Sequence, residues 1–85
     1  MSYHVYMLIS LSRKPVTYVG YTNNLNKRLE KHNSNLGAKS TRGYKWEFVY
    51  KKRFYSKSKA LSFEYKLKQD RKERLRLLYE FKKKS

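Results

Sequence analysis

Three groups of side chains in this sequence have the type and spacing for phosphate chemistry. The first is Glu64. At a helical period over Ala60 to Lys68 its carboxylate falls between Leu67 and Leu61 and interrupts an apolar stripe. A partly buried carboxylate facing a cleft commonly holds Mg2+, whose other positions go to water and substrate phosphates. The plainer reading is a boundary residue paired with one of the 22 lysines and arginines. The second group is Arg28 and His32, four residues apart and so on one helix face. An arginine fork grips phosphate and stabilises developing charge, and a histidine beside it relays a proton or orients water. The alternative is a solvated face, with Arg28 on a phosphate and His32 packed on a loop. The third group is Tyr3, Tyr6, Tyr18 and Tyr21, at strand positions, where phenols serve either as sheet core with hydroxyls at the rim or as reactive oxygens.

The elements that must position these groups are short. Tyr3–Ser10 and Val16–Tyr21 are rich in β-branched and aromatic residues, and the segment between them carries polar residues and Pro15, which predicts a β-hairpin. Thr22, Asn23 and Asn24 offer capping side chains before a helix over Leu25–His32. Asn33 to Gly43 lacks periodicity and reads as a loop. Trp46–Tyr55 has the content of a third strand, alternating after Tyr50. A second helix, capped by Ser56 or Ser58, runs to about Lys68, and a third runs from about Lys72 to Lys82. The expected fold is α+β, a small three-stranded antiparallel sheet flanked by helices in the order ββ-α-β-αα. It forms one domain over residues 1–85, with its core at about 2–79 and a basic tail at 80–85.

Composition sets the partner class. The 85 residues carry 22 lysines and arginines against six acidic groups, a net charge of +16, with no cysteine and only two histidines. Disulfides, thiolate zinc sites and cysteine nucleophiles are excluded, and a rich metal cage is undersupplied. The longest apolar run, Val5–Ile9, is far too short to span a bilayer, and no leader segment is evident, so a cytoplasmic protein without membrane contact is expected. Such a charge implies a polyanionic partner, foremost nucleic acid. Phosphate-contact candidates are Arg13 and Lys14 between the first two strands, Lys39 and Arg42 in the glycine-bearing loop, Lys51, Lys52 and Arg53, and Arg71, Lys72, Arg74 and Arg76. Tyr44 and Trp46 are candidates for stacking on unpaired bases, Trp46 alternatively for the core.

His4-Val5-Tyr6 and Tyr18-Val19-Gly20 resemble the two name motifs of the GIY-YIG nuclease superfamily. The residues that follow are similar to that family in order and spacing: Thr22, Arg28 and His32 on a helix, Asn33 beside it, and Ala-Leu-x-x-Glu-x-x-Leu-Lys at Ala60 to Lys68. The likeness spans about Ser2 to Tyr79 and is greatest to small single-domain bacterial members, themselves similar to the nuclease modules of excision-repair and junction-cutting enzymes. Histidine stands at position 4 where the first motif has glycine, a costly change if that position needs positive φ or close packing.

The resemblance implies a divalent-metal-dependent endonuclease. Glu64 would ligate one Mg2+ or Mn2+, Arg28 would bind the scissile phosphate, and Tyr6 and Tyr18 would supply phenolic oxygens near the attacking water, with Tyr6 favoured as general base. His32 would assist, and Thr22 and Lys68 would support. A phenol ordinarily titrates near about 10, so the base role needs something that favours the phenolate. With one candidate carboxylate, a two-metal mechanism is poorly supplied. No zinc finger or separate DNA-reading module is present in the sequence, which implies low sequence specificity on DNA more than RNA, single-stranded or branched, by a monomer or weak dimer. The competing class is a non-catalytic basic protein associated with ribosomes or chromatin. Glu64-Tyr65-Lys66 also fits half of another nuclease signature, but the only aspartate, Asp70, lies downstream instead of upstream.

Overall fold

The computed structural model describes residues 2–34 and 41–84. Its elements are β1 (Tyr3–Ser10), β2 (Thr17–Thr22), α1 (Leu25–Asn33), β3 (Trp46–Phe54), α2 (Lys57–Gln69) and α3 (Arg71–Lys84). The strands form one antiparallel sheet in the order β2-β1-β3. This is the expected α+β architecture.

β1 is the central strand, and it is buried on both sides. Successive side chains point to opposite faces, so Val5 and Met7 enter one core and Tyr6 and Leu8 another, all four fully buried. The first core is closed by Ala60 and Leu67 of α2 and Leu77 of α3. The second is closed by Trp46 and by Leu25 and Leu29 of α1. α1 therefore covers one face and α2 with α3 the other. The run Val5–Ile9 is apolar because neither of its faces meets water.

Local signals set the boundaries. Asn24 caps α1, its side chain accepting from the Lys27 amide at 3.1 Å, and Ser56 caps α2 through the Lys59 amide at 3.3 Å. β2 starts at Thr17, one residue later than expected and closing at Thr22, because the Val16 amide donates to the Ser10 hydroxyl at 2.9 Å. In the β1–β3 ladder Met7 pairs with Tyr50 and Leu8 with Phe48, so Val49 is bulged out; beyond Tyr50 the expected alternation is not seen in burial, since Lys51, Lys52 and Arg53 are all exposed. The tail expected from residue 80 instead continues as the last turns of α3, with Lys82, Lys83 and Lys84 favourably placed at the negative end of its dipole.

Candidate active site

Tyr6 is the hub of the α1 face. Its hydroxyl lies 2.9 Å from Nε2 of His32 and accepts from Nε of Arg28 at 3.2 Å. One turn of α1 separates these two partners, so helix geometry alone brings both onto a single phenol. Nδ1 of His32 lies 2.9 Å from Oγ1 of Thr41, whose carbonyl accepts from the Trp46 indole at 2.9 Å. The arrangement that satisfies every donor has Tyr6 donating to Nε2 and Nδ1–H donating to Thr41. Tyr18 flanks the cluster, its ring centroid 6.3 Å from Tyr6 and 5.0 Å from His32.

The glycine of the second motif has a steric cause. Gly20 is the cross-strand partner of Tyr6, and a Cβ there would overlap the phenolic oxygen and Cζ of Tyr6 and come within 2.8 Å of Cε2 of Tyr18. Only glycine lets the Tyr6 ring lie across β2. The first-motif position has no such need. His4 lies within the strand, paired with Thr22 and Arg53, and its ring sits there with Nδ1 buried and without a hydrogen-bond partner.

Burial governs the electrostatics. Desolvation pushes the Tyr6 phenol up to about 12, and the charges of Tyr18 and Glu64 add to that effect, while Arg28 opposes it through its hydrogen bond and its charge. The balance runs against a free Tyr6 phenolate, and with none of its surface exposed Tyr6 does not meet water directly. Burial, with Arg28 nearby, holds His32 below the ordinary histidine value, so at neutral pH it is the uncharged member of the cluster and able to accept a proton. Arg28 is held charged, chiefly by its hydrogen bond to Tyr6.

Glu64 approaches from α2. Its carboxylate is 18% exposed, pairs with Nζ of Lys68 at 3.2 Å, and lies close enough for its charge to bear on Tyr6. Lys68 in turn lines a hollow of about 270 Å³ with Thr17, Tyr18, Val19 and Arg74 at the β2 edge. Among the described residues no three histidine, aspartate or glutamate side chains gather. Among the described residues the Glu64 carboxylate has one ion-pair partner, a half-exposed ammonium, and such a carboxylate fits a divalent-cation site completed by water and phosphate oxygens.

The other expected residues divide by position. Thr22 is buried, and its Oγ1 exchanges hydrogen bonds with the amide and carbonyl of Asn24, so it shapes the turn from β2 into α1. Arg13 and Lys14 are exposed between β1 and β2. Lys51 and Arg53 lie on the face that carries Tyr6, whereas Lys52 lies on the opposite face, over the rings of Phe54 and Phe63. Arg42, Arg71 and Lys72 are exposed, and Lys39 lies outside the described residues. Two of the expected contacts have partners within the protein. Arg74 is not a free phosphate contact, because its guanidinium donates to the carbonyls of Leu67 (2.8 Å) and Lys68 (2.5 Å) at the end of α2. Arg76 is likewise taken by Glu73 in a two-bond clamp. Trp46 is core, 3% exposed, which leaves Tyr44, at 37%, as the aromatic able to stack. Asn33 ties α1 to β3 by accepting from the Trp46 amide at 2.6 Å.

Sequence reasoning missed Thr41, which sits in an aperiodic, glycine-bearing segment and whose role appears only when β3 brings it under His32.

The GIY-YIG catalytic domain family matches residues 2–77. The UPF0213 protein of Oceanobacillus iheyensis is 45% identical over 75 residues, covering 86% of this chain and 87% of that protein. The UPF0213 protein of Clostridium perfringens is 40% identical over 75 residues, covering 86% and 81%. The solution NMR structure of the UPF0213 protein from Bacillus halodurans matches at a TM-score of 0.54 and 34% identity, over 93% of this chain and 84% of that one. With the motif residues gathered around one phenol and this match over nearly its whole length, the chain belongs to the GIY-YIG family and, within it, to the small UPF0213 proteins.

Proposed function

We propose that this protein is a divalent-metal-dependent endonuclease that hydrolyses phosphodiester bonds in DNA, with low sequence specificity and a preference for single-stranded or branched substrates. The observation that carries the reading is the Tyr6 hydroxyl held between Arg28 and an uncharged His32. A purely nucleic-acid-binding surface needs exposed cations; it has no need of a buried phenol wired to a histidine.

In this reading Arg28 binds the scissile phosphate and stabilises the charge that grows on its oxygens. Tyr18, partly exposed, is the phenol that meets the attacking water, and Tyr6 is a positioning residue that orients Arg28 and links it to His32. The water oxygen forms a bond to phosphorus as the bond to the leaving oxygen breaks; the water's proton passes to the phenol–histidine cluster, with Thr41 holding the acceptor's orientation, and the leaving oxygen departs with the bonding pair and takes a proton from solvent. Glu64 would hold one Mg2+ or Mn2+, which supplies Lewis-acid stabilisation of the phosphate oxygens. Lys68 keeps the carboxylate in place when the metal is absent.

The +16 charge favours the second reading, a basic protein that binds nucleic acid without cutting it. One experiment separates them. Labelled single-stranded, duplex, flap and branched DNA, with RNA counterparts, are incubated with Mg2+ or Mn2+ and with wild type, Glu64→Ala or Arg28→Ala protein. Cleavage by wild type alone supports the nuclease. Binding that is strongly salt-dependent, without turnover and intact in Glu64→Ala, supports the binding protein. Equal cleavage of single-stranded, branched and duplex DNA overturns the substrate preference.

A further inference from the structure

On the α1 face the cross-strand register makes two successive rows, Gly20–Tyr6–Lys51 and then Thr22–His4–Arg53. The first row contains the phenol of the candidate active site. The second contains the histidine that stands where the family's first motif has glycine. Nδ1 of His4 is buried and has no hydrogen-bond partner. A buried polar atom left without a partner costs free energy and is uncommon in native proteins. Among the described residues no carboxylate pairs with Lys51 or Arg53, both exposed. Burial, followed by their charges, holds His4 below its ordinary value. Cations and an unsatisfied imidazole on one strip of sheet, with no anion among them, suit an anionic ligand supplied from outside.

We propose that His4 and Arg53, with Lys51 between them and Tyr6, form a second phosphate site that takes a further backbone phosphate of the strand bound at Arg28. It rests on the nuclease reading for its neighbour but not for its own chemistry. The Tyr6 ring leans over β2, where its hydroxyl meets Arg28, whereas Lys51 and Arg53 stand on β3, so the two sites lie on opposite sides of β1. Arg53 offers a fork to phosphate oxygens and Lys51 a point charge; Nδ1 of His4 is out of reach of an outside ligand, so a bound phosphate acts on His4 through its charge. The groups facing His4 are Tyr6 on its own strand, Thr22 on β2, and Lys51 and Arg53 on β3, with no acidic group among them. A single strand threaded across the edge of β3 would thus be held at two phosphates, which aligns the scissile one.

The test measures binding of a labelled oligothymidylate in EDTA across a salt series, together with the histidine NMR signals of wild type. Arg53→Ala is expected to weaken binding about 3- to 10-fold and to lower the log–log salt slope by about 0.7. His4→Gly, which installs the family residue, should weaken it by a similar factor, while Lys66→Ala, removing an exposed charge on α2, should have a smaller effect. In wild type the His4 pKa should rise on adding the oligonucleotide, a response that a structural role would not produce. Should His4→Gly fail to fold, Arg53→Ala and the His4 titration still decide. Binding and slope unchanged in Arg53→Ala, or a His4 pKa that does not move, overturn the site. Cleavage with Mg2+ is assayed in parallel. A wild type that shows the His4 response yet never cuts keeps this site and overturns the nuclease; a wild type that cuts without the response does the reverse.

Discussion

Toward α2 and α3 the sheet presents Val5, Met7 and Val19 to Ala60, Leu67 and Leu77, an interface whose buried side chains are all apolar and whose phenols, Tyr3, Tyr21 and Tyr50, are only partly buried around it. Toward α1 it presents Tyr6 and Leu8 to Arg28, His32 and Trp46, an interface in which Tyr6, His32 and Thr41 are all fully buried and joined by hydrogen bonds. The first face draws its stability from apolar burial, which tolerates exchange of similar side chains. The second places polar groups in a low dielectric, where each must keep its partner. The chain thus keeps the face that holds it together apart from the face that carries the candidate site, with β1 serving both.

Substitutions test that division, beginning with the largest effect. Arg28→Ala and Glu64→Ala should each lower cleavage of flap DNA by about 10²–10³-fold. Glu64→Ala should cost less than about 0.5 kcal/mol of stability, since it breaks one partly exposed pair within a helix. Parallel rate and urea-unfolding measurements check both. Met7→Ala should show the opposite pattern, losing about 2–5 kcal/mol of stability while folded molecules retain their rate. Its failure to destabilise would remove the apolar face's special status.

Gly20→Ala lies between the two. Its Cβ must push the Tyr6 ring aside, at a cost of about 1–3 kcal/mol, and cleavage should fall further than the folded fraction does. Equal falls in rate and folded fraction would mean that the Tyr6 position does not matter to the reaction. Tyr6→Phe removes one oxygen and leaves Arg28 and His32 without it, at about 1–3 kcal/mol. It should also change the pH profile of cleavage, which a purely structural loss would leave in shape.

The smallest effect is on pH dependence. His32 and His4 are both held below the ordinary histidine value by burial. The unfolded chain therefore binds protons that the folded chain resists, and stability is lost as pH falls below about 6.5. Urea midpoints between pH 7.5 and 5.5 should decline, and less steeply in His32→Asn. An equal decline in that variant would assign the effect to other groups.

Much of this was legible before folding. Helix caps at Asn24 and Ser56, the β-branched runs and the Arg28/His32 spacing are local signals, decided within a few residues of chain. Glu64 was conspicuous because one carboxylate in an apolar stripe stands out against any helical period. Less could be read of the side chains whose role depends on a distant partner. Trp46 and Tyr44 look alike as aromatics beside a basic loop, yet the bond from the Trp46 indole to the Thr41 carbonyl buries one while the other stays at the surface. Arg74 and Arg71 are equivalent as charges, and only the packing of α3 on α2 turns Arg74 into a cap on carbonyls.

By itself the sequence determined the charge balance, +16, and the order of strands and helices, because both follow from composition and short-range periodicity. Tertiary structure decided which of two similar tyrosines is sealed from water. Tyr6 and Tyr18 sit in matching motifs, but Tyr6 lies on the central strand, with a glycine opposite and α1 above, while Tyr18 lies on an edge strand beside a hollow. Burial depends on what the fold stacks around a residue, and that single difference sets the environment of each phenol.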